Sequence, residues 1–241
     1  MYRNLLGLAT IATVGIGTAA PAASIYRADL QTLNNSGVQG SVTVTIDGDN
    51  LTYQTAILGL EADQPHVAHF HGLFNNLTDG DVVDSTSPTL ANDTDGDGFV
   101  ELLEALPNYG PILVSLTEDD GTPFTTADGV LTRQGTFDLE DSSIFADGYD
   151  RDDLLPLDLR EFVIHGLTVP AGVGADTDGE VNGDGGYLAV LPVAAGEFTL
   201  IASDGNGGPQ AVPTPTAAMA GLGLLALAAN RRRRAEATAN A

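Results

Sequence analysis

The sequence predicts an all-β domain, an antiparallel Greek-key sandwich or barrel interrupted by long acidic loops. Three observations predict it: short runs of alternating apolar and polar residues recur through residues 24–204, clusters of Gly, Asp and Pro separate them, and helix signals are few. Val42, Val44 and Ile46 alternate with polar residues between Gln39 and Asp47. A second β-like run from Leu51 to Leu60 follows the turn Asp47-Gly48-Asp49-Asn50, which is a hairpin signal. Further strands are expected at Val67–Phe74, Pro111–Thr117, Val130–Leu139, Glu161–Val169, Gly186–Pro192 and Glu197–Ala202. Acidic stretches at 78–110, 140–159 and 174–185 interrupt them, and loops of that length in a compact domain are usually functional or unstructured.

The 241 residues include 33 acids, 9 arginines, 4 histidines, no lysine and no cysteine. Five arginines and Glu236 lie at the two ends, so residues 24–204 hold four bases against 32 acids, a net charge of −28. Such a surface repels phosphate, and nucleic-acid partners are not expected. It suits solubility in salty water and, in part, cation binding. Without cysteine there are no disulfides and no thiolate metal sites.

Both ends read as addresses. Residues 1–23 combine Arg3, an apolar stretch from Leu5 to Ala20 and small residues Ala19, Ala20, Ala22 and Ala23, the pattern of a signal peptide removed by signal peptidase. Residues 205–211 form a Gly/Pro linker, and 212–241 open on Val212-Pro213-Thr214-Pro215, continue through an apolar run Ala217–Ala229 and end on Arg231–Arg234 and a short tail. The thirteen apolar residues span about 20 Å as a helix, short of the roughly 30 Å of bilayer hydrocarbon, while the arginines would stay cytoplasmic. This order of parts resembles the PEP-CTERM sorting signal, with Thr214 where that family usually carries Glu. The resemblance implies an exosortase-like sorting enzyme as partner, membrane contact only through the tail, and delivery to the cell surface, outer envelope or extracellular matrix.

Three of the four histidines fall in Pro65-His66-Val67-Ala68-His69-Phe70-His71-Gly72, and the fourth in Phe162-Val163-Ile164-His165. On a strand His69 and His71 share a face, which offers two imidazoles to one transition metal. His165 on a neighbouring strand would make a third ligand. His66 has the wrong parity and joins only if a bulge or turn redirects it.

His69-Phe70-His71-Gly72 followed by Val163-Ile164-His165 resembles the copper half of Cu/Zn superoxide dismutase. The strand pair from Val42 to Leu60 followed by the His-rich strand resembles the CHRD domain, a secreted β-module. The resemblances imply a Greek-key β-domain with copper or zinc on these histidines. Departures weigh against dismutase activity: no histidine lies between His71 and His165 for the bridging and zinc ligands, no Cys pair occurs, and no Arg follows His165 before the tail.

Asp93-Thr94-Asp95-Gly96-Asp97-Gly98-Phe99-Val100-Glu101-Leu102-Leu103-Glu104 fits the twelve-residue EF-hand calcium loop. Asp93, Asp95 and Asp97 would ligate through side chains, Phe99 through its carbonyl, Glu101 directly or through water, and Glu104 with both oxygens. Glu101–Leu106 can begin an exiting helix, but Pro88 argues against an entering one. The loop therefore reads as a lone calcium-binding insertion at 93–104. A weaker second loop comprises Asp176, Asp178, Glu180, Asn182 and Asp184, with Tyr187 where the closing Glu would stand. No nucleophile elbow, Walker loop or dinucleotide fingerprint occurs. The expectation is an exported metal-binding β-domain, calcium-stabilised, without catalysis. The alternatives are a copper-dependent dismutase lacking the zinc site and a purely structural matrix or adhesion protein.

Overall fold

The computed structural model describes residues 23–76 and 80–203. The linker, the motif Val212–Pro215, the rest of the C-terminal segment and residues 1–22 of the leader lie outside them. Among the described residues the fold is antiparallel β-sheet, as expected, and no helix is long and apolar enough to cross a membrane.

Eleven strands form: β1 (Ser24–Thr32), β2 (Gln39–Asp47), β3 (Asn50–Leu58), β4 (Pro65–His66), β5 (Ala68–Phe74), β6 (Val82–Val83), β7 (Ile112–Leu116), β8 (Phe124–Thr125), β9 (Val130–Asp138), β10 (Arg160–Val169) and β11 (Gly186–Ser203). The main sheet runs β6-β5-β10-β11-β1-β2-β3-β9, with β7 also on β5, while β4 and β8 pair separately. The predicted hairpin closes with Asp47 opposite Asn50, and Gly48 takes the positive φ of +60° that a two-residue hairpin loop needs at its first position.

The sheet folds over one core. Alternation along β2 and β3 turns Val42, Val44, Leu51, Tyr53 and Ile57 inward, and alternation along β5 and β10 sends Ala68, Phe70, Phe162 and Ile164 to meet them. Phe70 joins the two layers, its ring 6.5 Å from Tyr53, 6.3 Å from Phe162 and 5.4 Å from Phe198. The same alternation fixes the opposite faces of β5 and β10, which carry His69, His71, Glu161, Val163 and His165 away from this core.

Three sequence expectations need correction. Gly186–Pro192 and Glu197–Ala202 are one strand, because the small or apolar residues Val193, Ala194 and Ala195 continue the extended chain, fully buried, and pair with β10 and β1. The Val67–Phe74 strand breaks at Val67, whose carbonyl accepts from His165 N at 2.9 Å. The acidic stretch 78–110 also holds more order than a loop. It contains α1 (Leu102–Tyr109), which buries Ala105 and Tyr109 against Leu33, Val100, Val163 and Ala195 and leaves Leu103 in solvent at 72% exposure. Helix α1 thus roofs the outer face that bears the histidines. A second helix, α2 (Arg151–Leu154), caps on Asp150 and ties Arg151 to Asp49.

Candidate metal centre

The structure brings His69, His71 and His165 together, with one ring nitrogen of each within 4.8 Å of those of the other two. Two register irregularities aim them. The β5–β7 ladder shifts between Phe70 and His71, and the β10–β11 ladder shifts on either side of His165. The shifts flank side chains that alternation has already placed on one face, and they adjust how those side chains are aimed.

Hydrogen bonds then fix which nitrogens remain free. His71 Nδ1 donates to Gly110 O at 2.8 Å, and His165 Nδ1 donates to Val190 O at 2.6 Å. A carbonyl only accepts, so each Nδ1 carries the proton and each Nε2 keeps its lone pair. His71 Nε2, His165 Nε2 and His69 Nδ1 are all buried without a hydrogen-bond partner. Three unsatisfied nitrogens at one point are costly unless something binds them.

Burial also keeps the rings neutral. It lowers His69 to about 4, and it lowers His165 to about 3 with help from the neighbouring His69. His71 is lowered first by burial and then by His165 and His69, against the Gly110 carbonyl that opposes the shift. At neutral pH all three offer lone pairs.

The nitrogens face a cavity of about 250 Å³ whose remaining walls are Val67, Leu102, Leu106, Tyr109, Ile112 and Val190. No carboxylate lines it. Imidazole without oxygen donors suits copper or zinc and not calcium or magnesium. The nitrogens of a tetrahedral site with bonds of about 2 Å stand roughly 3.3 Å apart, a contraction that small rotations of the three rings would supply.

His66 is not part of the cluster. Its Nδ1 lies 2.9 Å from His165 O and its Nε2 lies 3.0 Å from Glu61 O, so both nitrogens are committed to the backbone. The reason is local. Pro192, opposite His165 on β11, has no N–H to offer, and His66 Nδ1 serves the His165 carbonyl.

The acidic loop is only partly as expected. Asp93, Asp95 and Asp97 converge, with one carboxylate oxygen of each within 4.8 Å of the others, and Asp97 Oδ2 is buried without a partner. Loop N–H groups also use these acids: Gly96 and Gly98 donate to Asp93, Asp97 donates to Asp95, and Phe99 donates to Asp97. Glu104 closes back on the loop by accepting from Thr94 N, Thr94 Oγ1 and Asp95 N, and from Glu101 N through its other oxygen.

Glu101 does not serve the loop. Its carboxylate is 4% exposed and accepts from Val181 N, while Glu180 Oε2 accepts from Leu102 N at 3.3 Å. Glu101 is raised to about 7 by burial, opposed by the Val181 N–H, with Glu180, Asp97 and Asp95 pushing it further up. The 174–185 segment is therefore clasped to the start of α1. Among the described residues Asp176, Asp178, Glu180, Asn182 and Asp184 do not converge as a second loop site: Glu180 is used by α1 and Asn182 Oδ1 by Asp184 N.

Two buried polar groups escaped the sequence reading. Glu161, opposite His71 in the β5–β10 register, is fully buried, with Ser87 Oγ on one oxygen and nothing on the other. Burial raises it to about 8, with Ser87 opposing and Glu197 and Asp84 adding to the rise. Tyr109 follows Leu102 and Leu106 at helical spacing, on a helix whose expected start covered only Glu101–Leu106.

No protein-family model matches the chain, and comparison with curated proteins finds no match.

Proposed function

We propose that this chain is an exported β-domain that holds one copper or zinc ion on His69, His71 and His165 and serves as a metal-binding module at the cell surface, outer envelope or extracellular matrix. The observation that carries the reading is the convergence of three buried, partnerless imidazole nitrogens in a cavity that no carboxylate of the described residues lines. Calcium on Asp93, Asp95 and Asp97, closed by Glu104, would pin the acidic loop that leads into α1. Export and sorting rest on the leader and the arginine-ended tail, whose order of parts is that of the PEP-CTERM signal. A role without catalysis is favoured over dismutation because no basic side chain of the described residues lines the cavity and the body's charge slows the rapid approach that turnover of an anionic substrate needs.

The test is elemental analysis of the full-length chain after equilibration with calcium, copper and zinc and removal of free metal, followed by a superoxide assay. A single tightly held copper or zinc, lost in His71→Ala and His165→Ala, is expected, with calcium retained in both variants and lost in Asp93→Asn/Asp97→Asn. Retention of calcium alone would overturn the histidine site. Rapid superoxide turnover by the loaded chain would replace the binding module with an enzyme.

A further inference from the structure

The His cavity contains a second unsatisfied group of opposite character. Tyr109 lines it, the Tyr109 ring centroid lies 4.5 Å from that of His71, and its hydroxyl is buried without a hydrogen-bond partner. Within one enclosure there are thus three acceptors lacking a donor and one donor lacking an acceptor. A metal ion satisfies the three nitrogens but gives a phenolic O–H nothing to donate to. Among the described residues no protein acceptor hydrogen-bonds to it, and Glu180, whose charge acts on it, accepts instead from Leu102 N. The missing acceptor must arrive with a ligand.

Three neutral imidazoles leave the charge of a divalent ion uncompensated, and the apolar walls strengthen its pull on an anion. Three protein ligands also leave a four-coordinate metal one open position. We infer that Tyr109 donates a hydrogen bond to a small anion bound at the open position of the metal, which makes it a positioning residue for an exogenous ligand. A cavity of about 250 Å³ admits a ligand of a few atoms. The inference rests on the His-centred metal reading and adds to it the class of molecule the metal would take.

The probe is azide titrated into the copper(II)-loaded full-length chain and followed through the azide-to-copper charge-transfer band. The parent is expected to show a saturable band. Tyr109→Phe removes only an unpartnered hydroxyl, so it should fold, keep its copper, and bind azide about tenfold more weakly, the effect of one ordinary hydrogen bond. Leu103→Ala, on the solvent side of the same helix, leaves the cavity walls and the phenol untouched and should keep the parent's azide affinity. Equal azide affinity in Tyr109→Phe and the parent would overturn the inference and leave the metal site standing. An equal loss in Leu103→Ala would assign the effect to the stability of α1 and overturn it too. A phenolate-to-copper band before azide is added would make Tyr109 itself a ligand, against the donor role. Failure of the parent to hold copper would remove the metal site and the inference with it.

Discussion

Replacing Glu161 with Gln should stabilise the protein in alkaline solution and do little in acid. The carboxyl is fully buried, with one oxygen accepting from Ser87 and the other unpartnered, and it is pushed up from 4.5 to about 8. Between those values the native chain holds a proton that the unfolded chain has released. The unfolded state then binds fewer protons, so stability falls as pH rises through the window and levels off above about 8. At about 1.4 kcal/mol per pH unit the full span corresponds to roughly 4–5 kcal/mol, an upper bound because local opening can admit water to the ionised group. Glutamine keeps the shape and the Ser87 contact without the ionisation. Urea unfolding of both metal-free chains should give similar midpoints near pH 5 and a higher midpoint for the variant near pH 9, by up to a few kcal/mol. A difference that does not change between these two pH values would refute the claim that Glu161 is protonated in the native state.

Other outcomes follow from the same geometry. His66→Phe should cost about 1–3 kcal/mol by leaving without a donor the carbonyl, of His165 or of Glu61, that the ring N–H serves, while metal stoichiometry in elemental analysis stays that of the parent. The metal-free chain should lose stability as pH falls below about 6.5 toward about 4, because unfolded imidazoles take up protons that buried His69, His71 and His165 refuse; urea midpoints across that range, flattened in His165→Leu, check it. Gly110→Ala places a Cβ 2.1 Å from Gly72 O at a φ of +77°, and it should lower the melting temperature and weaken copper retention together, since Gly110 O also orients His71.

The strands were legible because β2 and β3 alternate and the other runs are bounded by turn residues, and His69 and His71 share a face by parity, with His165 on a neighbouring strand. Parity also set His66 apart, but it could not say what His66 does, because that depends on a proline on β11 distant in sequence. Strand β1 is not among the expected strands: it begins directly after the leader, and its first four residues are all half-buried, so alternation is marked only from Ala28 onward. Motif position assigned Glu101 to the acidic loop, whereas tertiary packing gave its carboxylate to Val181. No local pattern marks Glu161 as buried: it is an ordinary outward-facing strand residue until the segment around Ser87 covers it.

The absence of carboxylates around the three imidazoles has a consequence for the choice between hard and soft cations. The acidic exterior draws hard divalent ions toward the domain, where calcium and magnesium would outnumber any copper or zinc. A site that mixed carboxylates with histidines would be crowded by those abundant ions. Apolar walls and bare nitrogen offer such ions little, so on the proposed reading the site beneath α1 would discriminate against the hard cations that the acidic surface attracts.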